Sequence, residues 1–157
     1  MLNIKTILHP TDFSEPSVAA FHLACSLARD HGSRLLLLHV VTPPAVAYTE
    51  GVMLTPTDEI KEQLWEKLDE IAPDTAIEVE RHMMEGVPAE EILRLAEETG
   101  CDLIVMGCHG RRGLSRLLMG SVAEEVVRKA TCPVLTVKVP LTHMVEEKAA
   151  EKTTATL

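Results

Sequence analysis

From Lys5 to Val139 short aliphatic runs alternate with amphipathic stretches of helix length. No other property of the chain limits its fold so sharply, because repeated strand-helix-strand units close as a parallel sheet with helices packed on it. The first run is Lys5–His9, followed by a turn, Pro10-Thr11-Asp12-Phe13-Ser14, and a helix that Pro16 starts and Gly32 stops. Arg34–Val41 is aliphatic nearly throughout, as a central strand buried on both faces must be. A long connection, Thr42–Thr57, leads to a polar helix over Asp58–Ile71 with Ile60, Leu64, Leu68 and Ile71 on one stripe. Ala76–Met83 alternates apolar and polar residues and reads as an edge strand. Pro88–Thr99 is a helix stopped by Gly100, Asp102–Met106 a strand, Val122–Ala130 a helix and Pro133–Val139 the fifth strand. The expected fold class is α/β: an open sheet of five parallel strands with helices on both faces. Residues 1–140 are expected to form one domain, and 141–157 a polar, mobile tail without an apolar stripe.

Composition narrows the functional classes. Hydrophobic residues make up 46% and aromatics only 3%, which suits an aliphatic core between sheet and helices. A net charge of -9 argues against a nucleic-acid partner, which would need a basic face. No apolar run approaches the roughly 18 residues of a membrane span, and the opening residues lack the pattern of a secretion signal. A cytoplasmic protein without a membrane partner is expected. Cys25, Cys101, Cys108 and Cys132 show no CxxC spacing and read as reduced thiols, with Cys101 and Cys132 each opening a predicted strand.

One loop reverses the sign of this acidic chain. Gly107-Cys108-His109-Gly110-Arg111-Arg112-Gly113 continues through Arg116 to Gly120-Ser121, with three arginines and no acid. A strand, a glycine-rich turn and a helix start in succession form a cradle for anions, since the first N–H groups of a helix lack internal acceptors. The loop ends in no Gly-Lys-Ser/Thr, and its glycine spacing is not that of a dinucleotide fingerprint. Ser121-Val122-Ala123-Glu124 also has the form of a capping box, with Ser121 as N-cap. In open α/β sheets ligands bind beyond the carboxyl ends of the strands, where the strand order reverses. Asp12 follows the first strand and Gly107 the fourth; if those strands are neighbours, both turns open into one crevice. Asp12 also has the chemistry of a helix N-cap, alone or shared with Ser14. His9, His39 and His109 lie near strand ends and read as hydrogen-bonded histidines at a sheet edge. Cys108 beside His109 has no further ligand pair at a known metal spacing, so no metal is expected from the protein alone.

Gly107-x-x-Gly110, nine residues, then Gly120-Ser121 is similar to the nucleotide-binding pattern G-2x-G-9x-G-S/T of the universal stress protein family. The likeness extends to Pro10-Thr11-Asp12-Phe13-Ser14, to Leu38-His39-Val40 and to Cys132-Pro133-Val134-Leu135, over roughly residues 3–139. It implies the strand order 3-2-1-4-5 and ATP, possible with Mg, as ligand. It also implies a pocket of Pro10, Thr11, Asp12, Val40, Met106, Gly107, His109, Gly110, Arg111, Gly120, Ser121 and Val122. In that pocket Asp12 meets the ribose, backbone at Thr11 and Val40 frames the adenine, and Gly120, Ser121 and Val122 meet the phosphates. One of Arg111, Arg112 and Arg116 would clamp a phosphate. The fifth strand, Val134–Val139, carries no blunting charge but Lys138 and is expected to pair two copies as a homodimer. The function implied is an ATP-binding stress-response regulator acting as a switch or sensor. The alternative is a slow Mg-dependent ATPase or phosphotransferase in the same pocket. No catalytic base stands beside the glycine loop, so at most weak hydrolysis is expected.

Overall fold

In the computed structural model, which describes residues 3–43, 56–73, 76–109 and 119–138, the aliphatic runs pair as one sheet in the order β3-β2-β1-β4-β5. Along the chain the elements are β1 (Thr6–Pro10), α1 (Glu15–His31), β2 (Arg34–Val41), α2 (Asp58–Glu70), β3 (Val79–Glu85), α3 (Pro88–Thr99), β4 (Leu103–Gly107), α4 (Ser121–Lys129) and β5 (Val134–Val137). Every pairing is parallel. The fold class is the expected one, and so is the strand order that the resemblance implied. No helix among the described residues is long and apolar enough to cross a membrane. Parts of the Thr42–Thr57 connection and the whole of 141–157 lie outside the described residues.

Consecutive residues of a strand point to opposite faces, and β2 shows what that requires of a central strand. Leu35, Leu36, Leu37 and Leu38 are all fully buried. Leu35 and Leu37 join Ile7, Val105, Phe21 and Ala24 under α1, whereas Leu36 and Leu38 join Leu8, Ile104, Ile92 and Val126 under α3 and α4. Each such leucine contributes about 1.5–3 kcal/mol of burial. The helices are punctuated as the sequence indicated. α1 ends at Gly32, whose left-handed φ of 65° lets Ser33 N donate back to Ala28 O at 2.8 Å.

Three segments depart from expectation, the first being β5, which ends at Val137 and leaves Lys138 outside a strand expected to run to Val139. β3 starts three residues later than the alternation suggested, and it forms one sheet edge with Glu80, Arg81, His82 and Glu85 on it. The four-residue stripe assigned to α2 is not buried as a unit. Leu68 is fully buried and Ile71 packs on the core, but Ile60 is 47% exposed. The reason is that α2 docks through its C-terminal end. Arg81 of β3 donates from Nη2 to Ile71 O at 2.7 Å and from Nε to Leu68 O at 3.2 Å, holding carbonyls that a helix end leaves open.

The amino-terminal end of the sheet is closed by side chains. Asp102 Oδ2 accepts from Lys5 N at 2.9 Å and Thr6 N at 3.0 Å, while Ser33 Oγ donates to Ile4 O at 2.6 Å. Cys101 and Cys132 are neighbours here, as their places before β4 and β5 suggested, and both are free thiols. Burial first, and then the adjacent Cys132, push the Cys101 thiol up to about 12.

Candidate functional site

At the carboxyl end of the sheet the strands part. β1 pairs with β2 over its full length, Thr6 opposite Arg34 to Pro10 opposite Leu38, but with β4 only at Ile7–Leu103 and Leu8–Ile104. Beyond Leu8 a side chain replaces the ladder: His9 Nδ1–H donates to Val105 O at 2.8 Å. A carbonyl only accepts, so the proton sits on Nδ1 and Nε2 is a bare acceptor. Burial lowers the His9 pKa to about 4, against the opposing pull of the Val105 bond and of Asp12. The ring is therefore neutral near pH 7 and works as a strut between strands. Both β1 and β2 are interior strands, so His9 and His39 are not the sheet-edge histidines the sequence suggested.

One wall of the opening is the turn after β1. Thr11 is buried, with its N donating to Leu38 O at 2.8 Å. Its Oγ1 accepts from Phe13 N at 3.1 Å and from Ser17 Oγ at 2.8 Å. Asp12 Oδ1 accepts from Ser14 N at 3.0 Å and from Ser14 Oγ. Asp12 is thus not the helix cap. The N-cap of α1 is Ser14, which makes no side-chain cap bond, and the Asp12 carboxylate folds the turn one step earlier. Phe13, next in line, takes a left-handed φ of 64°.

The facing wall is the end of β4 and the start of α4. A Cβ on Gly107 would stand 3.0 Å from the carbonyl carbon of Pro16, so a side chain there would push the first turn of α1 away. The buried Cys108 donates from its N to Val137 O at 2.8 Å and accepts at its O from Gly120 N at 2.9 Å. These two bonds bring the start of α4 beside the end of β4. The capping box assigned to Ser121 does not form. Gly120 is the N-cap, Glu124 N donates to Gly120 O at 2.9 Å, and Ser121 is the first helical residue. A cap needs an extended backbone, and the chain is extended at Gly120 (φ -60°, ψ 150°), one residue before the serine. Ser121 is exposed, at the helix end whose first amides lack intrahelical acceptors.

The remaining expected residues divide as follows. Pro10 ends β1 opposite Leu38. Val40 lies opposite Met84, Met106 opposite Thr136, and both pack with Val122 in the cluster under α3 and α4. His109 is half-buried directly after Cys108. Gly110, Arg111, Arg112 and Arg116 lie outside the described residues. Ser17, Phe13 and His39 build the Thr11–Asp12 turn without having been singled out as site residues. Phe13 and His39 left a trace in the sequence as members of the Pro10–Ser14 and Leu38–Val40 stretches, whereas Ser17 shows only as a polar residue on the buried face of α1.

Fold and site together define an open, doubly wound α/β protein whose Asp12 turn and α4 start converge on one switch point. The sequence profile of the universal stress protein family matches residues 3–138, and the chain belongs to that family. It is 39% identical over 141 residues to universal stress protein MJ0531 of Methanocaldococcus jannaschii, covering 87% of this chain and 83% of the relative. The solved structure of hypothetical protein MJ0577 superposes with a TM-score of 0.72 at 33% identity, over 88% of this chain and 98% of that one. A universal stress protein solved in complex with cAMP shares the fold alone, at 22% identity and a TM-score of 0.58, over 88% of this chain and 99% of that one.

Proposed function

We propose that the crevice binds ATP and that the protein is a nucleotide-dependent regulator of the stress response. The observation that carries this reading is the pairing of unlike groups across one opening. The Asp12 turn offers an acceptor for sugar hydroxyls, and the start of α4 offers amides for phosphate. In this reading Thr11 and Val40 frame the base, with Pro10 and Met106 beneath it. Gly107 and Gly110 line the sugar and phosphates beside His109, and Gly120, Ser121 and Val122 receive the phosphates. Arg111 is one of three loop arginines suited to clamp them. Residues 1–140 then act as one nucleotide-binding domain in the cytoplasm. Mg would arrive with the nucleotide.

The output of such a switch is most simply a change in a homodimer. The two sheet edges differ in the way this requires: β3 carries four titratable residues, whereas β5 (Val-Leu-Thr-Val) carries none and leaves Leu135 exposed. Charge on an edge strand blocks pairing and its absence invites it.

Mass spectrometry of nucleotide released from the purified protein tests the reading, with phosphate release assayed beside it. Retained ATP with negligible turnover is expected. Rapid Mg-dependent release of phosphate would make the crevice an ATPase site instead. Gly120→Val places a branched side chain at the cap of α4 and should abolish ATP binding with the fold intact. Normal ATP binding by that variant would put the phosphates elsewhere.

A further inference from the structure

We infer that His39 is a positioning residue: it holds both chain neighbours of Asp12, and so sets the direction in which that carboxylate meets a ligand. The ligand part of this inference rests on the adenine-nucleotide reading, whereas the geometry stands without it.

His39 lies on β2 opposite Met83, with 9% of its surface exposed. Its Nδ1 is 2.8 Å from Thr11 O, and since a carbonyl only accepts, Nδ1–H is the donor. Thr11 is thereby held at each of its polar groups. Its N reaches Leu38 O, its Oγ1 receives Phe13 N and Ser17 Oγ, and its O receives His39. The bond differs in kind from the one His9 makes. His9 joins two strands within the sheet, whereas His39 reaches beyond the last β1–β2 pair and holds a carbonyl of the turn.

The other neighbour of Asp12 is held by the same ring. Phe13 has a φ of 64°, a conformation that a non-glycine residue keeps only where its surroundings impose it. Its ring centroid lies 4.5 Å from that of His39, and Lys67 Nζ of α2 approaches it at 6.0 Å. A hydrogen bond on one side and a ring contact on the other leave Asp12 little freedom. The Asp12 bonds to Ser14 then complete the turn. A ligand meeting this carboxylate finds it already oriented, which saves the entropy of ordering it on binding.

Two variants separate positioning from bulk packing. His39→Leu fills the space but removes the donor, and His39→Asn restores an amide N–H toward Thr11 O without the ring. ATP affinity is measured by calorimetry on the full chain, and exchange of the Phe13 and Ser14 amides by NMR. H39L is expected to weaken ATP binding about tenfold, the cost of one hydrogen bond at the strong end of its range, and to speed exchange at Ser14. H39N is expected to recover affinity to within about threefold of the parent and to restore Ser14 protection. The inference is overturned if H39L binds ATP like the parent with Ser14 protection unchanged, or if H39N is as impaired as H39L. If H39L does not fold, His39→Phe, which keeps a ring without the donor, is read the same way. If the parent protein binds no adenine nucleotide, the nucleotide reading falls, and Ser14 exchange alone decides the positioning role.

Discussion

His9 and Val105 meet where β1 and β4 separate, Nδ1–H to carbonyl at 2.8 Å, with the second ring nitrogen buried and unpartnered. The bond is made without charge, and acid therefore works against it. The folded protein takes up a proton at His9 only near pH 4, while an unfolded chain does so near the ordinary 6.5. Between those values the unfolded state binds the proton that the folded state refuses. Stability contributed by the neutral ring is complete above about pH 6.5, falls as pH drops toward 4, and levels off below it. The loss sums to about 3 kcal/mol. Urea midpoints at pH 7, 5.5 and 4.5 should fall less steeply for His9→Asn than for the parent. Parallel pH profiles would remove His9 as the cause.

Gly107 answers to packing as well as to any ligand. Alanine there must displace backbone of Pro16, and overpacking of that kind costs about 1–3 kcal/mol. A lowered urea midpoint with unchanged slope is expected for Gly107→Ala. An unchanged midpoint would mean that the first turn of α1 yields freely.

Asp12 folds its own turn, and the proposed function gives it a second duty toward the ribose; substitution can separate the two. Asparagine keeps an oxygen to accept from Ser14, so Asp12→Asn should retain most of the stability that Asp12→Ala loses, about 1–2 kcal/mol. Both variants should weaken ATP at least about tenfold if the carboxylate meets the ribose. Thermal unfolding and calorimetric titration measured together decide the matter. Parent-like affinity in D12N would place the charge outside the ligand's reach.

Dimer formation through β5 predicts that a charge at Leu135 breaks it. Leu135→Lys should sediment as a monomer where the parent sediments as a dimer, with an unchanged circular-dichroism spectrum. A dimeric L135K would move the interface off this edge.

Much of this architecture was readable because two periodicities and a few punctuating residues agree. β2 and α3 fall where their apolar runs, Pro88 and Gly100 put them. The misreadings share one origin, since local pattern does not report what an element packs against. α2 carries an apolar stripe that the sheet meets only at one end, and Arg81, which fixes that end, belongs to a different strand. Ser121 fits a capping box, yet the chain is still extended at Gly120 and the helix begins one residue later than a serine cap requires. The Asp12 turn was visible as Pro-Thr-Asp-Phe-Ser, but the left-handed Phe13 and its hold by His39 depend on a residue 26 positions away. No local rule contains that distance.

Cys108 gives the molecule a mechanical property that neither its sulfur nor its burial announces. One residue grips the outermost strand with its N–H and the head of α4 with its carbonyl. A force applied at Gly120 has only that single residue to cross before it reaches Val137. A shift of the α4 start would therefore load the outermost strand through one peptide unit, with no long chain of intermediaries.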